Sequence, residues 1–170
     1  MSDSRIRLRP LRKEDSDRFY RWITDRDLLL YNATYHPVSE YEHEEWVETM
    51  LEGRDDMVLF VIEHIEDEIP IGSCQLKEIH RTHRRAELQI RIGERDYWGQ
   101  GLGTEAVNKL VRFAFQDLNL HRVQLEVHAP NTRAIKTYEK CGFEHEGTLK
   151  DAKYIDGEYI DVILMAILNT

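Results

Sequence analysis

The chain is poor in residues that staple, kink or loosen a fold. Among 170 residues there are two cysteines, Cys74 and Cys141, nine glycines and four prolines. Two cysteines make neither a disulfide framework nor a zinc site, and they fit a reducing compartment. So little glycine and proline excludes a collagen-like or low-complexity chain. No apolar run approaches the roughly 18 residues that a spanning helix needs. The first ten residues alternate charge with Ile6 and Leu8 and hold no apolar leader-like stretch, so a cytoplasmic location is expected. Basic residues are also short. There are 23 Lys and Arg against 32 Asp and Glu, a formal charge of −9. That balance argues against nucleic-acid binding through a basic face and mildly favours a cationic substrate or partner.

What remains is ordinary globular material, with 41% apolar and 32% charged residues. One domain over residues 1–170 is expected, with no repeat and no linker. Residues 6–9 alternate as a short strand. Asp15 or Ser16 is placed to cap a helix carrying Phe19, Tyr20, Trp22 and Ile23. A second helix is expected near residues 42–51, with Trp46, Val47, Met50 and Leu51 inward and Glu42, Glu44, Glu45 and Glu48 outward. Gly53 ends it. The segment between them, residues 28–41, reads as a loop. Strands are expected at 58–62, 69–79 and 84–92, close enough together for an antiparallel meander. A helix from about 102 to 118, a strand at 123–127, a helix opened by Asn131 and a last strand at 159–168 complete the pattern. The implied fold is α/β (α+β), a mixed sheet with helices on both sides.

The chemistry begins at Gly99-Gln100-Gly101-Leu102-Gly103-Thr104. Glycines let a backbone approach a ligand closely, and the first turn of the helix they open has free amides and positive dipole potential. Such a turn takes a phosphate or diphosphate without a basic side chain. A P-loop needs Gly-Lys-Ser/Thr, and no lysine precedes Thr104. The dinucleotide fingerprint needs a third glycine where Thr104 stands. Both fit badly, and a glycine-rich turn with no ligand stays open for the motif taken alone.

A second motif changes the weight. Asn131, Ala134, Tyr138, Gly142 and Phe143 form an Asn-x-x-Ala-x-x-x-Tyr-x-x-x-Gly-Phe pattern. With the run from Tyr97 to Ala106, it resembles the GNAT superfamily of acetyl-CoA-dependent N-acetyltransferases. The branch it looks most like holds the ribosomal-protein N-terminal and spermidine acetyltransferases. The resemblance covers essentially the whole chain. It implies a mostly antiparallel sheet of six to seven strands flanked by about four helices. It implies acetyl-CoA as co-substrate, no metal, and an acetyl group passed directly to a primary amine in a ternary complex. Residues 83–90 and 157–159 look like the spermidine enzymes; residues 28–53 do so less. The position before Gly99 usually holds Gln or Arg in this superfamily and is Trp98 here, so one side-chain phosphate contact is absent.

The resemblance assigns candidates residue by residue. The coenzyme would meet Ile90, Arg91, Ile92, Trp98, Gly99, Gln100, Gly101, Leu102, Gly103, Thr104, Asn131, Ala134 and Tyr138. Strands splaying at 90–93 and 125–128 would open the slot for its pantetheine arm. Tyr138 is the candidate acid for the leaving thiolate. Glu126, twelve residues earlier, is the candidate base, and Glu87 is its rival. Lys136 is within reach of a phosphate, although an exposed helix lysine describes it as well. Trp22, Tyr31 and Tyr35 suit an acceptor pocket or the core equally. His80, His83, His121, His128 and His145 show no metal-ligand spacing. The acceptor is open among a polyamine, a protein N-terminus, an antibiotic amine and an amino-sugar, and a homodimer is expected from resemblance. The competing class is a non-catalytic acyl-CoA-binding regulatory module, which would bind without turnover.

Overall fold

The computed structural model of the chain describes residues 3–31 and 33–170. Met1, Ser2 and Asn32 lie outside the described residues, so the readings of the first ten residues and of the 28–41 loop are followed at the others.

Alternation of apolar residues builds the first half. β1 (Ile6–Arg9), β2 (Val58–His64), β3 (Ile69–His80) and β4 (Arg85–Ile92) form the antiparallel meander. Between β1 and β2 the chain makes α1 (Ser16–Thr24), α2 (Arg26–Leu29) and α3 (Glu40–Glu52). After β4 come α4 (Leu102–Gln116), β5 (Arg122–His128), α5 (Thr132–Lys140), β6 (Glu144–Ile155) and β7 (Glu158–Leu168). The seven strands form one sheet in the order β1-β2-β3-β4-β5-β7-β6. Only the β4–β5 pair is parallel. Period-two alternation sends neighbouring residues to opposite faces. Ile62 joins the main core with Leu76, Leu88, Leu110 and Val123, against α4. Val61 joins a second cluster with Phe19, Trp22 and Leu28. Helices therefore cover both sides of the sheet, as expected. No helix among the described residues is long and apolar enough to cross a membrane.

Four local readings are corrected. The expected loop at 28–41 begins inside α2, which buries Leu28 and Leu29 and thereby stabilises a helix of one turn. α3 turns Val47 and His43 inward, while Trp46 and Leu51 are exposed. His43 takes the inner place because its Nε2 reaches the Ser16 carbonyl at 2.8 Å. Asp15 precedes α1 but makes no side-chain cap. The whole of β6 was not foreseen. Its residues are nearly all exposed and polar, so neither face writes an apolar alternation, and two register shifts interrupt its pairing with β7.

The end of β4 decides the site. The amides of Gly93 and Glu94 both donate to the Ile71 carbonyl, at 2.8 and 3.1 Å. The chain bends there. A Cβ on Gly93 would collide with the Trp22 indole, so the bend needs glycine. β4 and β5 pair only at Arg85–Arg122, Ala86–Val123 and Glu87–Gln124. Beyond that point the two strands diverge, while β5 stays paired to β7 up to His128–Val162.

Asp15 is spent on a buried charge cluster. Arg9 Nη1 and Nη2 donate to Asp15 Oδ2 and Oδ1 at 2.9 and 2.8 Å, and Nε donates to Glu63 at 2.6 Å. Burial by itself would raise the Asp15 carboxyl, but Arg9 and the Arg12 amide hold it below its ordinary value. The Arg9 hydrogen bond likewise lowers Glu63 against the smaller effect of burial. Both folded values lie below the unfolded ones. The cluster thus stabilises the fold fully above the usual carboxylate range and loses that contribution as pH falls through the lowered values. Arg9→Met, which removes the cation from buried Asp15 and leaves Glu63 with Arg7 alone at 2.9 Å, is expected to cost about 3–5 kcal/mol in urea unfolding at neutral pH and to lose much of that penalty in acid. A penalty independent of pH would show that Arg9 acts through packing alone.

Candidate active site

Two cavities open where β4 and β5 part. The first, of about 620 Å³, lies between the strands and α3. The second, of about 310 Å³, lies against the glycine turn and α5. Ile90, Arg91 and Tyr138 line both. The two cavities thus meet at the mouth of the wedge.

The second cavity is built for an anion. Gly99 and Gly101 have φ of +74° and +78°, which other residues adopt at a cost. A Cβ on Gly99 or Gly103 would meet nothing within 4 Å, so these positions face open space. Gly101 caps α4 with no side-chain bond, leaving the amides of the first turn free for a ligand. The turn is held from behind. Arg5 Nη1 donates to the Gln100 carbonyl at 2.7 Å, and Glu105 accepts from the Ser4 hydroxyl at 2.7 Å and from the Arg5 amide at 3.0 Å. Arg91, Arg133, Lys136 and Lys140 line this cavity, and no carboxylate does among the described residues. In a chain of charge −9 that local reversal fits a diphosphate.

Twelve of the thirteen coenzyme candidates line this second cavity. Gln100 is the exception, because its side chain turns back to the Asp96 carbonyl at 2.9 Å. Asn131 caps α5 by accepting from the Ala134 amide at 3.2 Å. Arg133 was not foreseen here, and Tyr31 was expected in an acceptor pocket or the core. Arg133 lies 4.2 Å above the Trp98 ring, and Tyr31 meets that ring edge-on at 5.7 Å. Trp98 itself is fixed by its indole N–H, which donates to the Ile92 carbonyl at 2.8 Å. The only sequence signal for Arg133 was its position at the start of a helix next to Asn131.

The first cavity holds the polar groups of a different kind. Tyr138 is 5% exposed, and burial, with a smaller effect of Cys141, pushes its phenol up to about 12. It keeps its proton at neutral pH and is a donor at the junction. Glu126 reaches this cavity from β5 and faces Lys153 at 3.7 Å. Glu42 reaches it from α3, although its sequence reading was a wetted helix face. His128, two residues from Glu126, is 5% exposed, and its Nε2 has no partner. Burial, then Lys153, lower its pKa, against the Leu30 carbonyl and Glu126, so the ring is neutral at pH 7. Glu87 lines neither cavity. It sits where β4 and β5 are still paired and binds Lys77 at 3.2 Å. Trp22 is core, with its indole N–H on Glu94 at 3.2 Å, and Tyr31 belongs to the anion cavity instead of an acceptor pocket. No group of three or more His, Cys, Asp or Glu among the described residues could hold a metal ion.

Known proteins share this chain's sequence pattern and fold. A family model described as an acetyltransferase (GNAT) domain matches residues 5–144. A spermidine N(1)-acetyltransferase of Escherichia coli K12 is 35% identical over 175 residues, covering 96% of this chain and 86% of the relative. The crystal structure of spermidine N-acetyltransferase from Vibrio cholerae in complex with CoA and spermine superposes with a TM-score of 0.90. It is 32% identical and covers 98% of this chain and 96% of that one. A dodecameric structure of the Vibrio cholerae enzyme, also 32% identical, covers 98% and 95% with a TM-score of 0.83. The chain therefore belongs to the GNAT acetyltransferase family, and the protein transfers an acetyl group from acetyl-CoA to an amine.

Proposed function

We propose that the acceptor is a polyamine of the spermidine class and that Tyr138 and Glu126 carry the proton transfers. The observation that carries this reading is the meeting, at the buried Tyr138 phenol, of a cavity lined by cations without carboxylates and a larger one that bears Glu42 and Glu126 beside Arg54 and the shared Arg91. Glu42 and Glu126 approach the larger cavity from different elements, which suits a flexible ligand with several separated positive charges. The spermidine acetyltransferases among the relatives support the same acceptor.

The chain's tasks follow from the chemistry. An alkyl ammonium has a pKa near ~10 and must lose a proton before its nitrogen can attack. Glu126 accepts that proton, directly or through a water. When bound, acetyl-CoA supplies the thioester carbonyl. The edge of residues 90–92 that β5 no longer covers would hold the pantetheine arm. As the nitrogen bonds to the carbonyl carbon and the carbon–sulfur bond breaks, the Tyr138 phenol gives its proton to the sulfur. The nitrogen's second proton passes through water to restore the phenol, and the Glu126 proton returns to solvent, so one proton is released per turnover. Glu87 has no part in this scheme. Cys74 and Cys141 are unpaired, and burial pushes Cys74 up to about 12, so both are structural thiols of a reducing compartment. The Vibrio cholerae dodecamer supports self-association of this chain as well.

Three outcomes are expected. In a thiol-release assay over an amine panel, spermidine gives the highest kcat/KM. Faster turnover of a peptide N-terminus or an amino-sugar would replace the acceptor. Tyr138→Phe lowers kcat by about 10²–10⁴-fold and leaves the KM for acetyl-CoA within about twofold. Unchanged turnover would take Tyr138 out of the mechanism. Because the phenol titrates near 12, kcat holds its plateau to about pH 10. An alkaline decline centred nearer pH 8 would assign the proton to another group.

A further inference from the structure

α5 carries more positive charge than the glycine turn requires. Arg133, Lys136 and Lys140 are all exposed and all line the coenzyme cavity. At the helical repeat they fall within an arc of about 60° and span about 10 Å along the axis. Among the described residues none of them lies within 4.0 Å of a carboxylate, in a chain where thirteen ion pairs employ many of the other cations. The free amides of α4 already provide for one compact anion, the diphosphate. A stripe of this length reaches past it.

Arg133 is also pre-positioned. Its guanidinium rests 4.2 Å above the Trp98 ring and 5.9 Å from the Tyr31 centroid. Trp98 is held by its bond to Ile92 and by its edge contact with Tyr31. Stacking fixes the guanidinium plane and leaves its N–H fork free, which is the geometry that binds a phosphate with two bonds. The tryptophan that removes one side-chain phosphate contact from the turn therefore serves as the platform for another.

Taking acetyl-CoA as the coenzyme, we propose that Arg133, Lys136 and Lys140 bind its ribose 3′-phosphate and so select it over the 3′-dephospho form. A phosphomonoester carries close to two charges at neutral pH, the densest charge on that molecule. It is the group for which a planar fork flanked by two ammonium heads is suited.

Isothermal titration of CoA and 3′-dephospho-CoA into the full chain tests this. The wild-type protein is expected to bind CoA about tenfold or more tightly than the dephospho form. Arg133→Gln and the double variant Lys136→Gln/Lys140→Gln each bring that ratio toward one, acting mostly on CoA. The three side chains are exposed, and circular dichroism verifies the variants' fold. Equal wild-type affinities, or a ratio that survives in both variants, would overturn the assignment. So would equal weakening of both ligands, which would reduce the stripe to a general field on the diphosphate. Failure to bind either ligand would overturn the coenzyme reading too. A CoA preference without spermidine turnover would leave this assignment standing and sink only the acceptor.

Discussion

The site depends on two strands that stop pairing. β4 and β5 hold register for three residues and then separate, and two cavities open along the gap. Unpaired amides and carbonyls are costly when buried, so a splayed sheet persists where a ligand or water can take their bonds. The bend at Gly93 directs β4 away, and β7 keeps β5 straight by pairing along its whole length. The opening is therefore enforced from both sides by ordinary sheet hydrogen bonds. Tyr138 comes to its mouth because α5 starts immediately after β5 ends.

Charge is divided along the same line. The cavity against the glycine turn is lined by four cations and no carboxylate among the described residues, while the larger one presents Glu42 and Glu126 beside Arg54 and Arg91, the last shared by both cavities. One substrate of this reaction is an anion of several charges and the proposed other is a cation of several charges. Carboxylates occur only in the larger cavity among the described lining residues, which suits the proposed cation, and the α5 cations line only the smaller one, which suits the anion. The overall excess of acid is carried by exposed helix faces such as α3, while the basic residues at the coenzyme site are left unpaired.

Much of the fold was legible. Strands β1 to β5 and β7 and helices α1, α4 and α5 wrote their periodicity openly, because each buries one face, whereas α3 was legible as a helix and not in the face it buries. β6 was illegible for the opposite reason, since an edge strand bathed on both faces has no apolar period to read. Its turn did leave a sign. Asp156 and Gly157 both have positive φ, and an Asp-Gly pair between Tyr154 and Tyr159 marks a tight hairpin. Asp15 misled because a carboxylate before a helix usually caps it, and nothing local reveals a guanidinium arriving from β1.

Composition, the glycine turn and the Asn–Tyr–Gly-Phe helix by themselves pointed to the family, and they named most of the residues that line the smaller cavity and the phenol between the two. These are local properties: a φ that only glycine adopts easily, a helix start, a spacing along one helix. Which carboxylate stands at the cavity was decided by the tertiary structure alone. Glu87 and Glu126 are equivalent as strand residues, and they differ only because β4 and β5 are still paired at the first and already apart at the second. The stacking of Arg133 on Trp98 was decided the same way, since it joins side chains thirty-five positions apart that only the packing of α5 against the turn brings together.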